Sequence, residues 1–93
     1  MAIEFDPAKD AVNITVHGIS LAEAETLLRG YTVQRIDDRR DYGEVRIVAI
    51  GEIGGRVYVC VYTQRGEAFR PISLRPAKRR ERDAYQKAEA GGA

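Results

Sequence analysis

Apolar residues recur at helical spacing in the first third of the chain, and glycine and proline mark the helix ends. The pattern predicts a first helix that opens with Pro7, a favoured first position, and stops at Gly18, a favoured left-handed terminator. A second helix is predicted to begin at Ser20, which forms a capping box with Glu23, and to end at Gly30. Two consecutive N-terminal helices are therefore expected.

Branched and alternating apolar residues dominate the middle of the chain and predict strands. A short strand is predicted over 31–36, and two longer ones over 44–53 and 56–64, joined by a tight Gly-Gly turn. A further strand is predicted over 67–74 after another short turn. Consecutive strands with such short connections predict a mainly antiparallel meander.

Prolines shape the last part of the chain. Pro71 cannot donate a ladder hydrogen bond, so the last strand should lie at a sheet edge or carry a bulge. Pro76 predicts the start of a C-terminal helix that runs to about Lys87. The whole pattern indicates an α+β fold, with a single domain over 1–88 and a flexible tail over 89–93.

The composition, 44% hydrophobic and 31% charged among 93 residues, is typical of a soluble globular domain. The net charge of +1 is uneven: residues 1–34 carry five acidic and two basic side chains, and residues 35–93 nine acidic and thirteen basic ones. A polyanion would therefore be attracted to the second part. Cys60, the single cysteine, excludes an intrachain disulfide and lies in an apolar run where it should be buried. No apolar run approaches the ~20 residues that cross a bilayer, and we expect a cytoplasmic protein without membrane contact.

Most enzyme signatures are missing. The sequence has no glycine-rich phosphate loop, no carboxylate and histidine cluster for a metal, and no serine-nucleophile motif, so we predict no metal and no cofactor. His17 is the single histidine, which excludes a two-histidine acid–base pair within one chain. Placed before Gly18, it could serve only to stabilise a helix end, or it could transfer protons near neutral pH.

Arginine is concentrated towards the C-terminus. Between Arg65 and Arg82 there are seven basic residues and two acidic ones. The planar guanidinium fork matches phosphate oxygens and keeps its charge at physiological pH. A charge-rich helix face is also commonly just a solvated surface, so the clustering favours phosphate binding without establishing it.

Arg46 and Arg70 differ from the other arginines because they alternate with apolar residues along predicted strands. Arg46 should share a sheet face with Val48, and Arg70 with Ile72 and Leu74. A half-buried arginine needs an acidic partner or a ligand anion to offset its desolvation. The candidate internal pairs are Arg46–Glu67 and Arg70–Glu44.

Taken in order, these segments resemble the BrnT-type toxins of bacterial type II toxin–antitoxin systems, which are similar to the RelE ribonuclease toxins. The segments that carry the resemblance are EFDPAK (4–9), His17-Gly18, DDRRDYGEVR (37–46), Val61-Tyr62-Thr63, Arg65-Gly66 and RRER (79–82) with Tyr85. The resemblance implies a RelE-like fold and a metal-independent RNA endonuclease that blocks translation. It also implies a BrnA-like antitoxin with a ribbon-helix-helix part, in an oligomeric complex that binds DNA through the antitoxin.

The expected site follows from the resemblance and from the needs of RNA cleavage. The predicted catalytic residues are His17, Glu44, Arg65, Arg75 and Arg79. Among them, the arginines would surround the scissile phosphate, His17 is the first candidate for proton transfer, and Glu44 is the reserve base. The predicted RNA-binding residues are Lys9, Arg46, Arg70, Arg80, Arg82 and Tyr85, the last by stacking on a base.

Two other functions stay open. Leu74 and Pro76 replace the alanine and lysine typical of the family around Arg75, which favours a catalytically weak or inactive module that binds RNA or the antitoxin. The third is a structural subunit whose arginines are all paired with the chain's own acidic residues.

Overall fold

The computed structural model describes residues 1–91 and confirms the predicted α+β class. The elements, in chain order, are β1 (Ala2–Ile3), α1 (Pro7–His17), a 3₁₀ turn (Leu21–Glu23), α2 (Ala24–Arg29), β2 (Val33–Ile36), β3 (Ile47–Ile53), β4 (Arg56–Arg65), β5 (Ala68–Pro76) and α3 (Arg79–Gly91).

One five-stranded sheet, in the order β1-β5-β4-β3-β2, organises the fold. The strands β2 to β5 pair antiparallel with their chain neighbours, as the predicted meander requires. β1 pairs in parallel with the outer edge of β5, so the sheet is mixed. The β3–β4 turn consists of Gly54 and Gly55, whose φ angles of 58° and 81° suit a tight hairpin with the twist of its strands.

The two faces of the sheet carry separate apolar cores. The face towards the N-terminal helical segments buries Leu21, Ala24, Leu27, Ala49, Cys60, Tyr62 and Leu74. The face towards α3 buries Val48, Val57, Val59, Ala77 and Tyr85. Burial raises the pKa of Cys60 to about 12, which agrees with the prediction of a buried and unreactive thiol.

Side-chain and backbone caps hold α1 at the predicted residues. The Asp6 carboxylate accepts a hydrogen bond from the Ala8 N–H at 2.8 Å, and Pro7 is the first helical residue. Gly18 has a φ of 73° and donates its N–H to the Ile14 carbonyl at 2.8 Å. Local sequence is therefore sufficient to place both ends of this helix.

The start of the second helical segment differs from the prediction. In place of a capping box between Ser20 and Glu23, the Ser20 hydroxyl accepts from the Ala22 N–H at 3.1 Å and donates to Asp10 at 2.9 Å. The same Asp10 oxygen accepts from the Leu21 N–H at 2.7 Å. A carboxylate on α1 thus accepts hydrogen bonds at the start of this segment, and it ties the two segments together.

β5 contains the irregularity that Pro71 predicted, in the form of a bulge. Pro71 pairs with Tyr62, but the next pair along β4 is Val61 with Ser73, so Ile72 is the extra residue. Proline is tolerated there because a bulge interrupts the ladder.

The bulge overturns one predicted arrangement. Arg70 was expected to share a face with Ile72 and Leu74, but Arg70 pairs with Thr63 and Leu74 with Cys60. These two partners are an odd number of residues apart on β4, so Arg70 and Leu74 lie on opposite faces. The extra residue reverses the alternation, and Arg70 comes to lie on the α3 face.

The C-terminal helix begins and ends later than predicted. β5 continues to Pro76, and α3 runs from Arg79 to Gly91, past the expected end near Lys87. It therefore continues into segment 89–93, predicted as a tail, of which the last two residues lie outside the described residues.

A side chain of α1 completes the outer edge of β5 beyond the short β1. Asn13 is buried, donates from Nδ2 to the Leu74 carbonyl at 2.8 Å, and accepts the Leu74 N–H at 3.1 Å. The same amide nitrogen donates to the Ile19 carbonyl at 2.8 Å. The Asn13 amide thereby replaces a neighbouring strand at this position and joins α1 to the sheet.

Candidate active site

Arg46, which directly precedes β3, forms a row with Thr63 on β4 and Arg70 on β5. Ile47 pairs with Tyr62, which places the preceding Arg46 opposite Thr63, and Thr63 pairs with Arg70. Alternation puts the row on the α3 face of the sheet. α3 packs against the other half of that face, where its Tyr85 joins Val57 and Val59 in one core cluster.

The Glu44 carboxylate lies between two arginines where β3 begins and β4 ends. One of its oxygens is 3.5 Å from Nη2 of Arg65, and the other is 3.7 Å from Nε of Arg46. We call Glu44, Arg46, Arg65 and Arg70 the arginine cluster. Glu44 and Arg65 also line a cleft of about 520 Å³ at the end of the β3–β4 ladder. The other residues of its lining are Val45, Ile47, Thr63 and Gln64.

Arg46 has an unsatisfied donor. Its Nε is buried, and within residues 1–91 it has no hydrogen-bond acceptor, because Glu44 at 3.7 Å is too distant. Buried donors in folded proteins usually have an acceptor, so the unpaired Nε marks Arg46 as a candidate ligand-binding side chain.

The internal ion pairs differ from those predicted. Arg46 pairs with Glu44 instead of Glu67, and Arg70 pairs with Glu4 at 3.6 Å instead of Glu44. The contacts of Glu44 with Arg46 and Arg65, and that of Glu4 with Arg70, are all longer than the 2.7–2.9 Å of a strong charge-assisted hydrogen bond. They are therefore contacts that a phosphate group could replace.

Arg75 has a different environment. Both of its terminal nitrogens donate to Glu81, at 2.9 and 2.8 Å, and Glu81 also accepts the Lys78 N–H at 2.7 Å. The Arg75 hydrogen bonds lower the pKa of Glu81 to about 2 and raise that of Arg75. The fork of Arg75 is thus engaged in holding the start of α3 against β5.

Arg79, Arg80 and Arg82 lie at the other end of β4 from the arginine cluster. α3 begins beside the β3–β4 hairpin, where the Ala77 N–H donates to the Val57 carbonyl. Eight residues of β4 separate Val57 from Arg65, a span of about 26 Å. The helix arginines are exposed, Arg79 pairs with Asp83 at 3.9 Å, and Arg82 donates to the Ala77 carbonyl at 3.0 Å. The structure does not bring them together with Arg65.

His17 and Lys9 lie in a groove between α1 and β5. The groove has a volume of about 370 Å³ and a mainly apolar lining that includes Val12, Val16 and Ile72. α1 starts beside the β1 end of β5 and ends beside Leu74, which bonds to Asn13. His17 therefore lies towards the Leu74 end of β5, and the arginine cluster lies near its beginning.

Tyr85 is not available to stack on a base, contrary to its predicted role. Its side chain is in the core between α3 and the sheet, with 2% of its surface exposed. Its ring packs on Tyr31 at 5.7 Å, and its hydroxyl donates to the Tyr31 carbonyl at 3.2 Å. The amphipathic pattern of α3 explains Tyr85 as a core residue.

Sequence reasoning missed the side-chain contacts that order the segment 37–46. Asp37 is buried, and its carboxylate accepts from Arg39 and from the Tyr42 hydroxyl. The Arg46 guanidinium lies 4.1 Å from the centre of the Tyr42 ring. No hydropathy signal distinguishes Asp37 from its exposed neighbour Asp38, so only the structure could identify it.

Within residues 1–91, no group of three histidine, cysteine, aspartate or glutamate side chains could hold a metal ion. None of the helices in that range is both long and apolar enough to cross a membrane.

The described residues thus form a basic sheet face with the Glu44 carboxylate between two guanidinium groups, an arrangement whose charge suits a polyanionic ligand. Residues 5–81 match the family model described as "Ribonuclease toxin, BrnT, of type II toxin-antitoxin system". The match covers most of the chain and all of the arginine cluster, and the chain belongs to the BrnT family. Membership implies ribonuclease activity, an RNA substrate and an antitoxin partner. No curated protein matches the chain significantly.

Proposed function

We propose that the arginine cluster is the active site of a metal-independent RNA endonuclease. The observation that carries the proposal is the position of Glu44 between Arg65 and Arg46, whose buried Nε lacks an acceptor within residues 1–91. A phosphodiester bound there would meet two guanidinium groups and a carboxylate at once. These groups suffice for charge stabilisation and for proton removal.

The proposed reaction begins at the 2′-hydroxyl next to the scissile phosphate. Glu44 takes the hydroxyl proton, the 2′-oxygen forms a bond to phosphorus, and the bond to the 5′-oxygen breaks. The departing oxygen takes a proton from solvent water, which leaves a 2′,3′-cyclic phosphate and a 5′-hydroxyl. Arg46 and Arg65 stabilise the additional negative charge on the phosphoryl oxygens in the transition state. Arg70, one strand away, binds a neighbouring phosphate.

Glu44 is preferred to His17 as the base. Glu44 is in contact with both arginines that would hold the phosphate, and His17 lies in the α1–β5 groove. We assign Arg75 the role of holding α3 against β5, because both of its terminal nitrogens already donate to Glu81. Arg79, Arg80, Arg82 and Lys9 are left with a peripheral role in attracting RNA, which their exposure permits.

The wider role proposed here follows from the family. Cleavage of mRNA in the cytoplasm would inhibit translation, and a BrnA-like ribbon-helix-helix antitoxin would neutralise the toxin in an oligomeric complex that binds DNA. A relation to the RelE toxins stays a prediction from the resemblance. Growth arrest on expression, relieved by co-expression of the antitoxin, tests this role.

The direct test is cleavage of a synthetic RNA by purified protein in the presence of EDTA. The Arg65→Ala variant should lose about 100-fold or more in rate, as is typical when one charge-stabilising group is removed. Arg29→Ala is a matched control, because both arginine side chains are 58% exposed and each pairs with a glutamate. Equal rates in the two variants would exclude the arginine cluster, and activity that EDTA abolishes and Mg²⁺ restores would exclude the metal-independent reaction.

The identity of the base is tested by Glu44→Gln beside His17→Gln. Glu44→Gln should lower cleavage by about 100-fold or more, yet keep RNA affinity, because it removes a base and also a negative charge. His17→Gln should cleave at close to the wild-type rate. If His17→Gln lowered the cleavage rate more than Glu44→Gln, His17 would be the base.

A structural subunit is favoured by one observation: each arginine of the cluster already has a carboxylate within 4 Å. That function predicts no cleavage, and an RNA affinity that does not fall steeply with salt. The same purified protein therefore distinguishes the two functions in a single titration and cleavage series.

A further inference from the structure

Tyr42 supports Arg46, whose buried Nε has no acceptor among residues 1–91. The Arg46 guanidinium carbon lies over the Tyr42 ring, 4.1 Å from its centre, and a contact this short has a substantial cation–π attraction. Arg40 lies over the same ring at the longer distance of 5.4 Å. The ring restricts Arg46 on one side, while its Nε stays free of acceptors among residues 1–91.

Asp37 in turn holds Tyr42. Its side chain is 1% exposed and accepts the Tyr42 hydroxyl at 3.2 Å and two nitrogens of the Arg39 fork at 2.8 and 2.9 Å. The Arg39 hydrogen bonds keep the pKa of Asp37 well below its usual range. The backbone closes the arrangement, because the Asp37 N–H donates to the Arg46 carbonyl at 2.8 Å.

These contacts form a chain from a buried carboxylate to the guanidinium at the proposed site. If these contacts only stabilised the loop, the ion pair of Asp37 with the 73% exposed Arg39 would be sufficient. The additional hydrogen bond from the Tyr42 hydroxyl and the ring under Arg46 would then have no role. They do fix where the Arg46 side chain can point.

We propose that Tyr42 and Asp37 are positioning residues, which hold the partly exposed Arg46 guanidinium where it meets the RNA phosphate. Neither residue needs to touch the RNA. The proposal rests on the proposed function of the arginine cluster and adds the reason why a flexible side chain is ordered there. Preorganisation of this kind removes the cost of ordering the side chain when the phosphate binds.

A double-mutant cycle tests the proposal with the full chain and a synthetic RNA. Tyr42→Leu removes the ring and should lower cleavage about tenfold, whereas Tyr42→Phe keeps the ring, loses only the hydroxyl that Asp37 accepts from, and should lower it less, by several-fold. In an Arg46→Ala background, Tyr42→Leu should have no further effect, because the arginine it positions is gone. A purely structural role predicts the same loss in both backgrounds, and that result would overturn the proposal.

Asp37→Asn provides a second measurement if the Tyr42→Leu variant does not fold. Asp38→Asn is its matched control, since it removes the same charge from an exposed neighbour in the same loop. Asp37→Asn should lower cleavage several-fold only when Arg46 is present, and Asp38→Asn should not lower it. If Arg46→Ala itself cleaves at the wild-type rate, the proposed function fails. If Arg46→Ala is impaired while Tyr42→Leu and Asp37→Asn are not, only the positioning proposal fails.

Discussion

Arg70 and Arg75 are five residues apart on β5, yet both lie on the face of the sheet that packs against α3. Regular alternation would place them on opposite faces. The bulge at Ile72 adds the residue that brings them to the same side, with Arg70 opposite Thr63 and Arg75 opposite Val59. A local irregularity therefore determines which arginines can contribute to one surface.

Deletion of Ile72 should be tolerated, because the residue has no partner on β4 and its removal leaves every other pair in register. We expect a folded protein whose free energy of unfolding falls by about 3 kcal/mol or less, from lost apolar burial and from the placement of Pro71 in a regular ladder. Deletion of Val59, which pairs with Arg75 and lies in the core, should prevent folding. Circular dichroism reports whether each deletion variant folds, and urea denaturation measures its free energy of unfolding. An unfolded Ile72 deletion variant would contradict the assignment of the bulge.

The Arg75–Glu81 pair should make stability depend on acid pH. The pKa of Glu81 is lowered from 4.5 to about 2 by the Arg75 hydrogen bonds, so the folded state favours the ionised carboxylate. Its contribution is present above pH 5 and is lost as the pH falls towards 2. After allowance for solvent screening, we expect about 1–2 kcal/mol.

The variant that tests the pair is Glu81→Gln, compared with wild type by urea denaturation between pH 5 and pH 2. The wild-type free energy of unfolding should fall more steeply than that of the variant. RNA cleavage by Arg75→Ala, assayed well below its melting temperature, should stay close to wild type. A large loss of cleavage in a folded Arg75→Ala protein would show that Arg75 belongs to the active site.

Asn13→Asp should destabilise the fold although the two side chains have nearly the same shape. The carboxylate cannot donate, so the carbonyls of Ile19 and Leu74, both 2.8 Å from Nδ2, would face an acceptor. We expect a loss of about 2–4 kcal/mol, measured by urea denaturation, because buried polar groups lose their partners. Thr15→Ala on the exposed side of the same helix should change stability by about 0.5 kcal/mol or less. Equal effects in both variants would refute the role of Asn13 at the β5 edge.

Gly51→Ala should destabilise through a steric clash. A Cβ at this position would lie 2.9 Å from Cγ of Leu27 and 3.2 Å from Cγ2 of Thr32, so α2 would have to move away from β3. Overpacking of this kind typically costs about 1–3 kcal/mol. Gly30→Ala, whose nearest contact is the Leu27 carbonyl at 3.8 Å, is the control and should be close to neutral in thermal denaturation. A neutral Gly51→Ala would show that α2 adjusts without cost.

Elements held by local chemistry could be predicted from the sequence. The ends of α1 follow from Asp6, Pro7 and Gly18, whose effects act within a few residues. The Gly-Gly hairpin and the placement of Arg46 on a half-buried sheet face follow from the same kind of short-range pattern. The Ser20 cap was wrongly paired because its partner, Asp10, comes from the preceding helix.

The grouping of the site residues could not be predicted in the same way. The resemblance and the needs of RNA cleavage suggested one set that contained Arg65, Arg75 and Arg79. Strand β4 separates the first from the start of α3 by about 26 Å, because an extended strand rises about 3.3 Å per residue.

The amino-acid sequence by itself determined the family, the local elements and the excess of positive charge in the second part of the chain. Tertiary structure decided which charges meet: it joined Glu44 to Arg46 and Arg65, gave Arg75 to Glu81, and buried Tyr85. The physical reason is that helix caps and turns depend on neighbouring residues, whereas ion pairs between strands depend on register. Register is set by the bulge, the hairpin and the packing of both sheet faces together, and a single extra residue changes it.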